Sequence, residues 1–178
     1  IEYNYIEYKS CKKGIKMSLC KVDIVTIVLD EESNTPIVVL QDNETGNILP
    51  IMIAPLEASL IAIELEGKKP IRPLTHDLII TMINTFHYSL ESVVIDDLKD
   101  NIYFAKLNLV SPDSSAMIID CRPSDAMAIA LRAKAPIYVK KKVFAIAQGL
   151  DNLSQIDKET MKEVLEDIDI DDVGGKIM

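Results

Sequence analysis

Apolar and polar positions alternate in the first third of the chain and predict three strands. Val22 to Leu29 is rich in Val, Ile and Thr, Pro36 to Gln41 follows a polar turn, and Ile48 to Ile53 follows a turn that contains glycine. A period of two is typical of strands that bury one face. Because only a few polar residues separate the three runs, the pattern predicts an antiparallel meander.

Two helical segments follow these strands. Pro55 opens a run from Leu56 to Glu66 that ends near Gly67. Proline in the first turn and glycine after the last is the usual asymmetry of a helix. A second run extends from Thr75 to about Phe86, where Thr75 is in a position to act as the N-cap. The pattern therefore predicts two helices joined by a loop that contains two prolines.

The next apolar runs predict three further strands, Ser92 to Leu98, Ile102 to Val110 and Ala116 to Asp120. The last of these leads into a helix of almost pure Ala, Met, Ile and Leu, and a short apolar run, Pro136 to Val139, follows it. A helix that is apolar on nearly every side is normally buried. Its N-terminal end is polar, so this buried helix has a charged start.

Strand runs interrupted by a few helices, without strict alternation, predict an α+β fold. We expect a mostly antiparallel sheet packed with two central apolar helices, in a domain that spans residues 17–148. Residues 1–16 are interpreted as an N-terminal extension, since Met17 precedes the first clear strand. Residues 149–178 are predicted to form a polar linker and an acidic C-terminal helix with a modest apolar face.

The charge of the chain bears on its partners. The formal net charge is −9, and residues 157–172 hold eight acidic residues against two lysines. Proteins that coat nucleic acids normally show a basic surface, which this chain lacks overall. Two local basic clusters, Lys68-Lys69 with Arg72 and Lys140 to Lys142, are more simply explained as solvated edges of the domain.

Three cysteines without zinc spacing favour reduced thiols and a cytoplasmic location. No apolar run approaches the ~20 residues that a membrane-spanning helix needs, and no secretory signal is evident. We therefore expect no membrane partner.

Charged and hydroxyl side chains cluster at the helix starts, and fold stability alone explains many of them. Hydroxyl groups at N-caps and acids in first turns are common stabilising features, the acids contributing about 0.3–1 kcal/mol each. The residues that fit this structural interpretation are Glu57, Thr75, Asp77, Ser124 and Asp125.

A functional interpretation arises because two helix starts each carry an Arg-Pro pair. If both N-termini face one cleft, Arg72 and Arg122, with Thr75 and Ser124, form an anion site that suits a phosphodiester. His76 beside them can transfer protons near neutral pH. Three carboxylates offer the oxygen ligands that a divalent cation such as Mg²⁺ or Mn²⁺ prefers, namely those of Asp77, Asp120 and Asp125.

Several motifs resemble the bifunctional nuclease domain family of bacteria and plants, in the order and with the spacing of that family. The resemblance extends from about Val22 to Phe144. The motifs are Leu49-Pro-Ile-Met-Ile, Glu57-Ala, Ile71-Arg-Pro-Leu-Thr-His-Asp-Leu78, Tyr103-Phe-Ala, Asp120-Cys-Arg-Pro-Ser-Asp-Ala126 and Ala135-Pro-Ile-Tyr-Val139.

The resemblance implies an α+β domain that self-associates, most simply as a dimer, with DNase and RNase activity. The motif residues that it carries onto this chain are Glu57, Arg72, Pro73, Thr75, His76, Asp77, Asp120, Arg122, Pro123, Ser124 and Asp125. The chain departs from the family pattern at Ala54-Pro55 and Cys121, and at Phe86-His87-Tyr88, which replaces a helix end that contains glycine.

Three hypotheses follow. The first is a nuclease with little sequence preference, in which His76, Asp77, Asp125 and Glu57 are catalytic. The second is a non-enzymatic regulatory or assembly module whose polar helix starts are structural caps, which the acidic charge favours. The third is a pocket for a small anion or nucleotide at the Arg-Pro turns.

Overall fold

The computed structural model describes the backbone of residues 19–151 and the side chains of residues 19–148. Within this range, the strands are β1 (Leu19–Leu29), β2 (Pro36–Asp42), β3 (Ile48–Met52), β4 (Ser89–Lys99), β5 (Ile102–Val110), β6 (Ala116–Cys121) and β7 (Ile137–Lys140). The helices are α1 (Pro55–Leu65), α2 (Thr75–Thr85), α3 (Pro123–Ala133) and α4 (Lys141–Asp151). The predicted extension 1–16 and the predicted acidic helix lie outside the described residues.

All seven strands form one sheet in the order β3-β2-β1-β7-β4-β5-β6. The two meanders, β1 to β3 and β4 to β6, are antiparallel, as the short turns between their strands predict. Strand β7 joins them, antiparallel to β1 and parallel to β4. The predicted α+β class with a mostly antiparallel sheet is therefore confirmed.

The pairing of β4 with β5 is interrupted twice. The register skips Glu91 between Leu90 and Ser92, and it skips Asp96 between Ile95 and Asp97. Each skipped residue is the extra residue of a β-bulge, which bends its strand and turns a side chain into a new direction. Strand β4 is thus the most irregular long strand of the described sheet.

Helix α3 forms the centre of the helical layer and is buried over most of its length. Met127 and Ala130 have no exposed surface, and Ile129 is 2% exposed. Helices α1 and α2 pack on either side of α3, and α3 also contacts β4 and β5. The strong burial follows from the almost uninterrupted apolar sequence of α3, as predicted.

The expectation of two central apolar helices holds for α3 and not for α1. Helix α1 buries Ala58 and Ile61, while Leu56 and Leu65 at its ends are 70% and 42% exposed. The apolar composition of α1 resembles that of α3, but α1 packs mainly on α3 and β2, whereas α3 contacts α1, α2, β4 and β5. Its position at the flank of α3 leaves the remaining apolar side chains open to solvent.

Helix α4 follows β7 directly and packs on β4 and β7. Val143, Phe144 and Ala147 anchor it in the core, at the three-to-four-residue spacing of an amphipathic helix. The helix continues to Asp151 and so includes the first three residues of the predicted linker, 149–151. Across residues 19–151, no helix combines the length and the apolar character needed to cross a membrane.

Candidate functional site

The starts of α2 and α3 differ from the predicted caps. The residue before the first helical residue is Leu74 in α2 and Arg122 in α3, so Thr75 and Ser124 lie inside the helices. Their assignment as N-caps is therefore wrong. Proline at position 123 fixes the first turn of α3 two residues earlier than the hydroxyl pattern suggested.

In α2 the capping interaction comes from an acid. One carboxylate oxygen of Asp77, Oδ2, accepts a hydrogen bond of 2.6 Å from the backbone N–H of Leu74. This contact satisfies one of the backbone donors that a helix start leaves unpaired. The stabilising role that the sequence assigned to the Thr75 hydroxyl thus belongs to Asp77.

A first charged network joins α1, α2 and α3 and centres on Arg122. Arg122 donates to both carboxylate oxygens of Asp125, through Nε at 2.7 Å and Nη2 at 2.9 Å. Its Nη1 donates to Oε1 of Glu57 at 2.8 Å. The Nε2 atom of His76 lies 3.3 Å from Oδ1 of Asp125. Four predicted site residues from three helices are therefore in direct contact.

A second network lies further along the same helices and centres on Arg132. The Nε atom of Arg132 lies 3.0 Å from Oδ1 of Asp77 and 3.4 Å from Oε1 of Glu64. Its Nη1 also donates to the backbone carbonyl of Ala128 at 3.0 Å. The Arg132 side chain is only 3% exposed, so it is a buried cation whose charge is balanced locally.

The two networks form two layers between α1 and α3. Glu57 in α1 contacts Arg122 at the start of α3, and Glu64, seven residues later, contacts Arg132 near its end. Since the contacts occur in the same order along both helices, α1 and α3 run in the same direction. Seven helical residues span about 10 Å, so the layers are two turns apart.

His76 is nearly buried, with 6% of its surface exposed. Among the described residues, its Nδ1 atom has no hydrogen-bond partner and is inaccessible to solvent. Because the Asp125 carboxylate accepts hydrogen bonds only, the geometry favours the tautomer in which Nε2 carries the proton. Asp125 is thus the hydrogen-bond partner of the His76 ring in this conformation.

The charges in the first layer stabilise one another. Hydrogen bonds from Arg122 hold the pKa of the Asp125 carboxyl below its usual value, and burial opposes this effect. The same bonds, together with the one to Glu57, raise the pKa of the Arg122 guanidinium. Burial, assisted by the nearby Asp125 charge, raises the pKa of the Cys121 thiol to about 12. Cys121 is therefore a neutral thiol near pH 7 and a poor nucleophile.

Both layers are acidic overall. Arg122 faces two carboxylates, Glu57 and Asp125, and Arg132 faces Asp77 and Glu64. Each layer thus carries one excess negative charge when His76 is neutral. Within residues 19–151, no three or more His, Cys, Asp or Glu side chains are grouped so that they could hold a metal ion.

The remaining predicted site residues, Arg72, Asp120, Thr75 and Ser124, lie apart from the Arg122 network. Arg72 is exposed in the loop before α2, and within residues 19–151 it forms no hydrogen bond or ion pair. Asp120 is exposed on β6, where its backbone pairs with Lys106. Thr75 is exposed in the first turn of α2, and Ser124 is buried in the first turn of α3. The two Arg-Pro turns therefore differ: the second takes part in a network and the first does not.

Sequence reasoning missed Arg132 and Glu64. A usable signal was present, because Arg132 is the only basic residue in the apolar sequence of α3. A cation within a buried helix must find a carboxylate or carbonyl partner. Its partner Glu64 is spaced seven residues from Glu57, on the same face of α1.

Comparison with known proteins identifies relatives of the chain. A family model described as the bifunctional nuclease domain matches residues 38–150, and this segment contains both networks. The chain is 39% identical over 147 residues to an uncharacterized protein of Mycobacterium tuberculosis. That match covers 83% of this chain and 87% of the mycobacterial protein.

Plant relatives carry a functional name. The chain is 31% identical over 110 residues to bifunctional nuclease 2 of Arabidopsis thaliana, which covers 61% of this chain and 33% of that protein. It is also 31% identical over 114 residues to bifunctional nuclease 1 of the same plant, with 63% and 35% covered. The matched segment is thus about a third of each plant protein's length.

Proposed function

Because the chain belongs to the bifunctional nuclease domain family, we propose that it hydrolyses phosphodiester bonds of DNA and RNA with little sequence preference. The observation that carries the proposal is the contact among Glu57, His76, Arg122 and Asp125, which come from three helices and from separate parts of the sequence. The sequence similarity to plant proteins named bifunctional nucleases supports the same activity.

Arg122 is assigned to the substrate phosphate. Its side chain is 63% exposed, whereas the Asp125 and Glu57 side chains are 27% and 15% exposed. A guanidinium binds phosphate oxygens through parallel hydrogen bonds. A phosphate at Arg122 replaces the single bond to Glu57 more readily than the paired bonds to Asp125. Arg72, Thr75 and Ser124 are proposed as further phosphate contacts.

The carboxylates are assigned to a divalent cation and to the attacking water. Of the three predicted ligands, Asp125 lies in the first layer, whereas Asp77 and Asp120 lie apart from it, and no three such side chains among the described residues are grouped around one ion. A Mg²⁺ or Mn²⁺ ion held by Asp125 would complete its ligands with water and substrate phosphate, lower the pKa of a coordinated water and offset the excess negative charge of the first layer. Glu57 and Asp125 orient the water, and His76 accepts or supplies the proton through Asp125.

Two further features belong to the proposal. Leu78, Met82 and Phe86 form one exposed apolar face at the α2 side of the domain, and we assign this face to a homodimer. The unpaired cysteines Cys20 and Cys121 fit the reducing cytoplasm, where disulfides are rare.

A test compares phosphodiester cleavage by the wild type, His76→Ala and His87→Ala, all highly purified, with Mg²⁺ or Mn²⁺ and on single-stranded and duplex substrates. His87 is the matched control, because it is exposed and lies beyond the end of α2. We expect activity in the wild type and the control, and its loss in His76→Ala. Equal trace cleavage by all three proteins would point to a contaminating nuclease and contradict the assignment.

The alternative, a regulatory or assembly module, is favoured by the pairing of Arg122. Its guanidinium is already held by two carboxylates, and the chain carries a net charge of −9. Binding to a labelled oligonucleotide at rising salt separates the two functions. A nuclease site loses affinity steeply as salt rises. A module of this kind shows no binding even at low salt.

A further inference from the structure

A cavity of about 460 Å³ lies on the sheet, and its polar lining includes Asp96 of β4, Lys106 and Asn108 of β5, and Lys140 of β7. Lys106 alternates along β5 with Ala105 and Leu107, which belong to the core packed against the helices. Because successive side chains of a strand point to opposite faces, Lys106 points away from that core. The cavity is therefore on the opposite side of the sheet from the Arg122 network.

Asp96 is the chemically unusual residue of this cavity. It is 6% exposed, and its Oδ2 atom accepts hydrogen bonds from Lys106 at 2.7 Å and Lys140 at 3.3 Å. Its other carboxylate oxygen, Oδ1, is buried and has no hydrogen-bond partner among the described residues. Buried polar atoms are normally paired, so an unused carboxylate oxygen beside a cavity points to a donor supplied by a ligand.

The backbone supports the same interpretation. Both acidic residues that line the cavity, Glu91 and Asp96, are the extra residues of the two bulges in β4. Bulges occur often beside functional sites, where they redirect a side chain that regular pairing would place elsewhere. Two bulges within six residues, both presenting an acid to one cavity, are a more specific feature than a single salt bridge on a sheet.

The charges define the ligand. Each lysine ammonium has three donors and uses one of them on Asp96, and the two lysine side chains are 35% and 23% exposed. Two lysines and two acids leave the lining without net charge, which disfavours a simple anion or a simple cation. A ligand that carries a positive and a negative group close together matches this arrangement.

We propose that the cavity binds a small zwitterion, namely an α-amino acid with an apolar side chain. Its ammonium group donates to Oδ1 of Asp96, and its carboxylate accepts hydrogen bonds from Lys106 and Lys140. The apolar wall formed by Val94, Val110 and Ile118 receives the side chain. The size is within the usual range of small-molecule sites, about 300–1,000 Å³. This site is independent of the proposed nuclease activity.

Calorimetric titration of the full chain tests the proposal with L-leucine and L-phenylalanine as probes. Leucinamide lacks the carboxylate and 4-methylpentanoate lacks the ammonium, so each is a matched half of leucine. We expect at least one amino acid to bind, and each half-ligand of leucine to bind at least about tenfold more weakly. Absence of binding by both amino acids up to about 10 mM, or equal binding by leucine and a half-ligand, would overturn the proposal.

Variants assign the binding to this cavity. We expect Lys106→Gln and Asp96→Asn each to weaken binding by at least about tenfold. Lys142→Gln is the matched control, because Lys142 pairs with Asp97 and does not line the cavity. If Asp96→Asn does not fold, as circular dichroism will show, the more exposed Lys106 still provides the test. Unchanged affinity in Lys106→Gln would contradict the assignment.

Discussion

The Nε2 atom of His76 lies 3.3 Å from Oδ1 of Asp125, and these two residues are 49 positions apart in the sequence. The contact joins the first turn of α2 to the first turn of α3. The same Asp125 oxygen accepts a hydrogen bond from Arg122, so it links the imidazole to the guanidinium. A change in the charge of Asp125 therefore affects both neighbours at once.

Replacement of Asp125 by Asn tests the centre of this network. The amide keeps the shape of the side chain and removes the charge that both Arg122 and His76 contact. We expect cleavage of DNA and RNA to fall about 100-fold or more, the size typical for loss of a positioned acid–base group. Initial rates on a fluorogenic oligonucleotide provide the measurement.

The control for this prediction is Asp113→Asn, in the turn between β5 and β6. Asp113 is exposed and its hydrogen bonds are confined to that turn. Its replacement should leave the rate within about twofold of the wild type. A comparable loss in both variants would mean that the effect is not specific to the Arg122 network.

The lowered pKa of Asp125 predicts a dependence of stability on pH. Hydrogen bonds from Arg122 are its main cause, so the carboxyl is more acidic in the folded than in the unfolded chain. Such a group contributes stability above its unfolded pKa, near 4, and loses that contribution as pH falls through the folded pKa. The wild type should exceed Arg122→Met in stability at neutral pH, and the difference should shrink below about pH 4.

Urea unfolding followed by circular dichroism at several pH values measures this difference. Arg72→Met is the matched control, because Arg72 is exposed and forms no ion pair among the described residues. The unfolding free energy of Arg72→Met should differ little from that of the wild type, and this difference should be nearly constant with pH. A stability gap for Arg122→Met that is the same at acid and neutral pH would contradict the role of Asp125.

The fold was predictable where it depends on local patterns. Strands β1 to β6 and helices α1, α2 and α3 were expected, since each has an apolar period or a turn at its ends. The position of β7 between β1 and β4 was not expected. Strand order depends on contacts between residues far apart in sequence, and an apolar run of four residues does not specify its neighbours.

The site was predictable in part. The second Arg-Pro turn, with Arg122 and Asp125, was correctly expected to pair an arginine with an acid at a helix entrance. Arg72 lies in an exposed loop, and the arginine beside Asp77 is Arg132, which the sequence did not single out. Which of several arginines reaches an acid depends on how helices pack, and spacing within one segment does not contain that information.

Arg132 is predicted to hold the helical layer together. Its replacement by Met retains the apolar contacts of the stem and leaves Asp77 and Glu64 without their cation. Loss of one partner of a buried ion pair typically costs about 3–5 kcal/mol. Since both acids are partly exposed, we expect a loss of about 3 kcal/mol in unfolding free energy, measured by urea titration.

The matched control is again an exposed arginine. Arg72→Met should change the unfolding free energy by no more than about 0.5 kcal/mol, as is usual for surface substitutions. If Arg132→Met is as mild as Arg72→Met, the ion pairs of the second layer do not stabilise the packing of α1 and α2 on α3.

The apolar face of α2 is predicted to mediate self-association. Leu78, Met82 and Phe86 are 55%, 50% and 67% exposed and recur every four residues along one side of the helix end. A lysine at Met82 places a charge at the centre of this face. We expect Met82→Lys to convert a dimer to a monomer, as measured by light scattering after size-exclusion chromatography. Leu29→Lys, at an exposed apolar residue on β1, should remain dimeric. A monomeric wild type would contradict the prediction.

His87 is predicted to be a site where glycine increases stability. It follows α2 with a φ of 61°, in the left-handed region that helix ends most often fill with glycine. The left-handed conformation costs an L-residue about 1–2 kcal/mol, and the greater freedom of glycine in the unfolded chain offsets part of the gain. We expect His87→Gly to raise the unfolding free energy by about 0.5–1 kcal/mol, measured by urea titration. His87→Ala keeps the Cβ atom and should give no increase, which separates the backbone effect from loss of the imidazole. Equal stabilisation by both variants would show that the side chain, and not the backbone conformation, carries the cost.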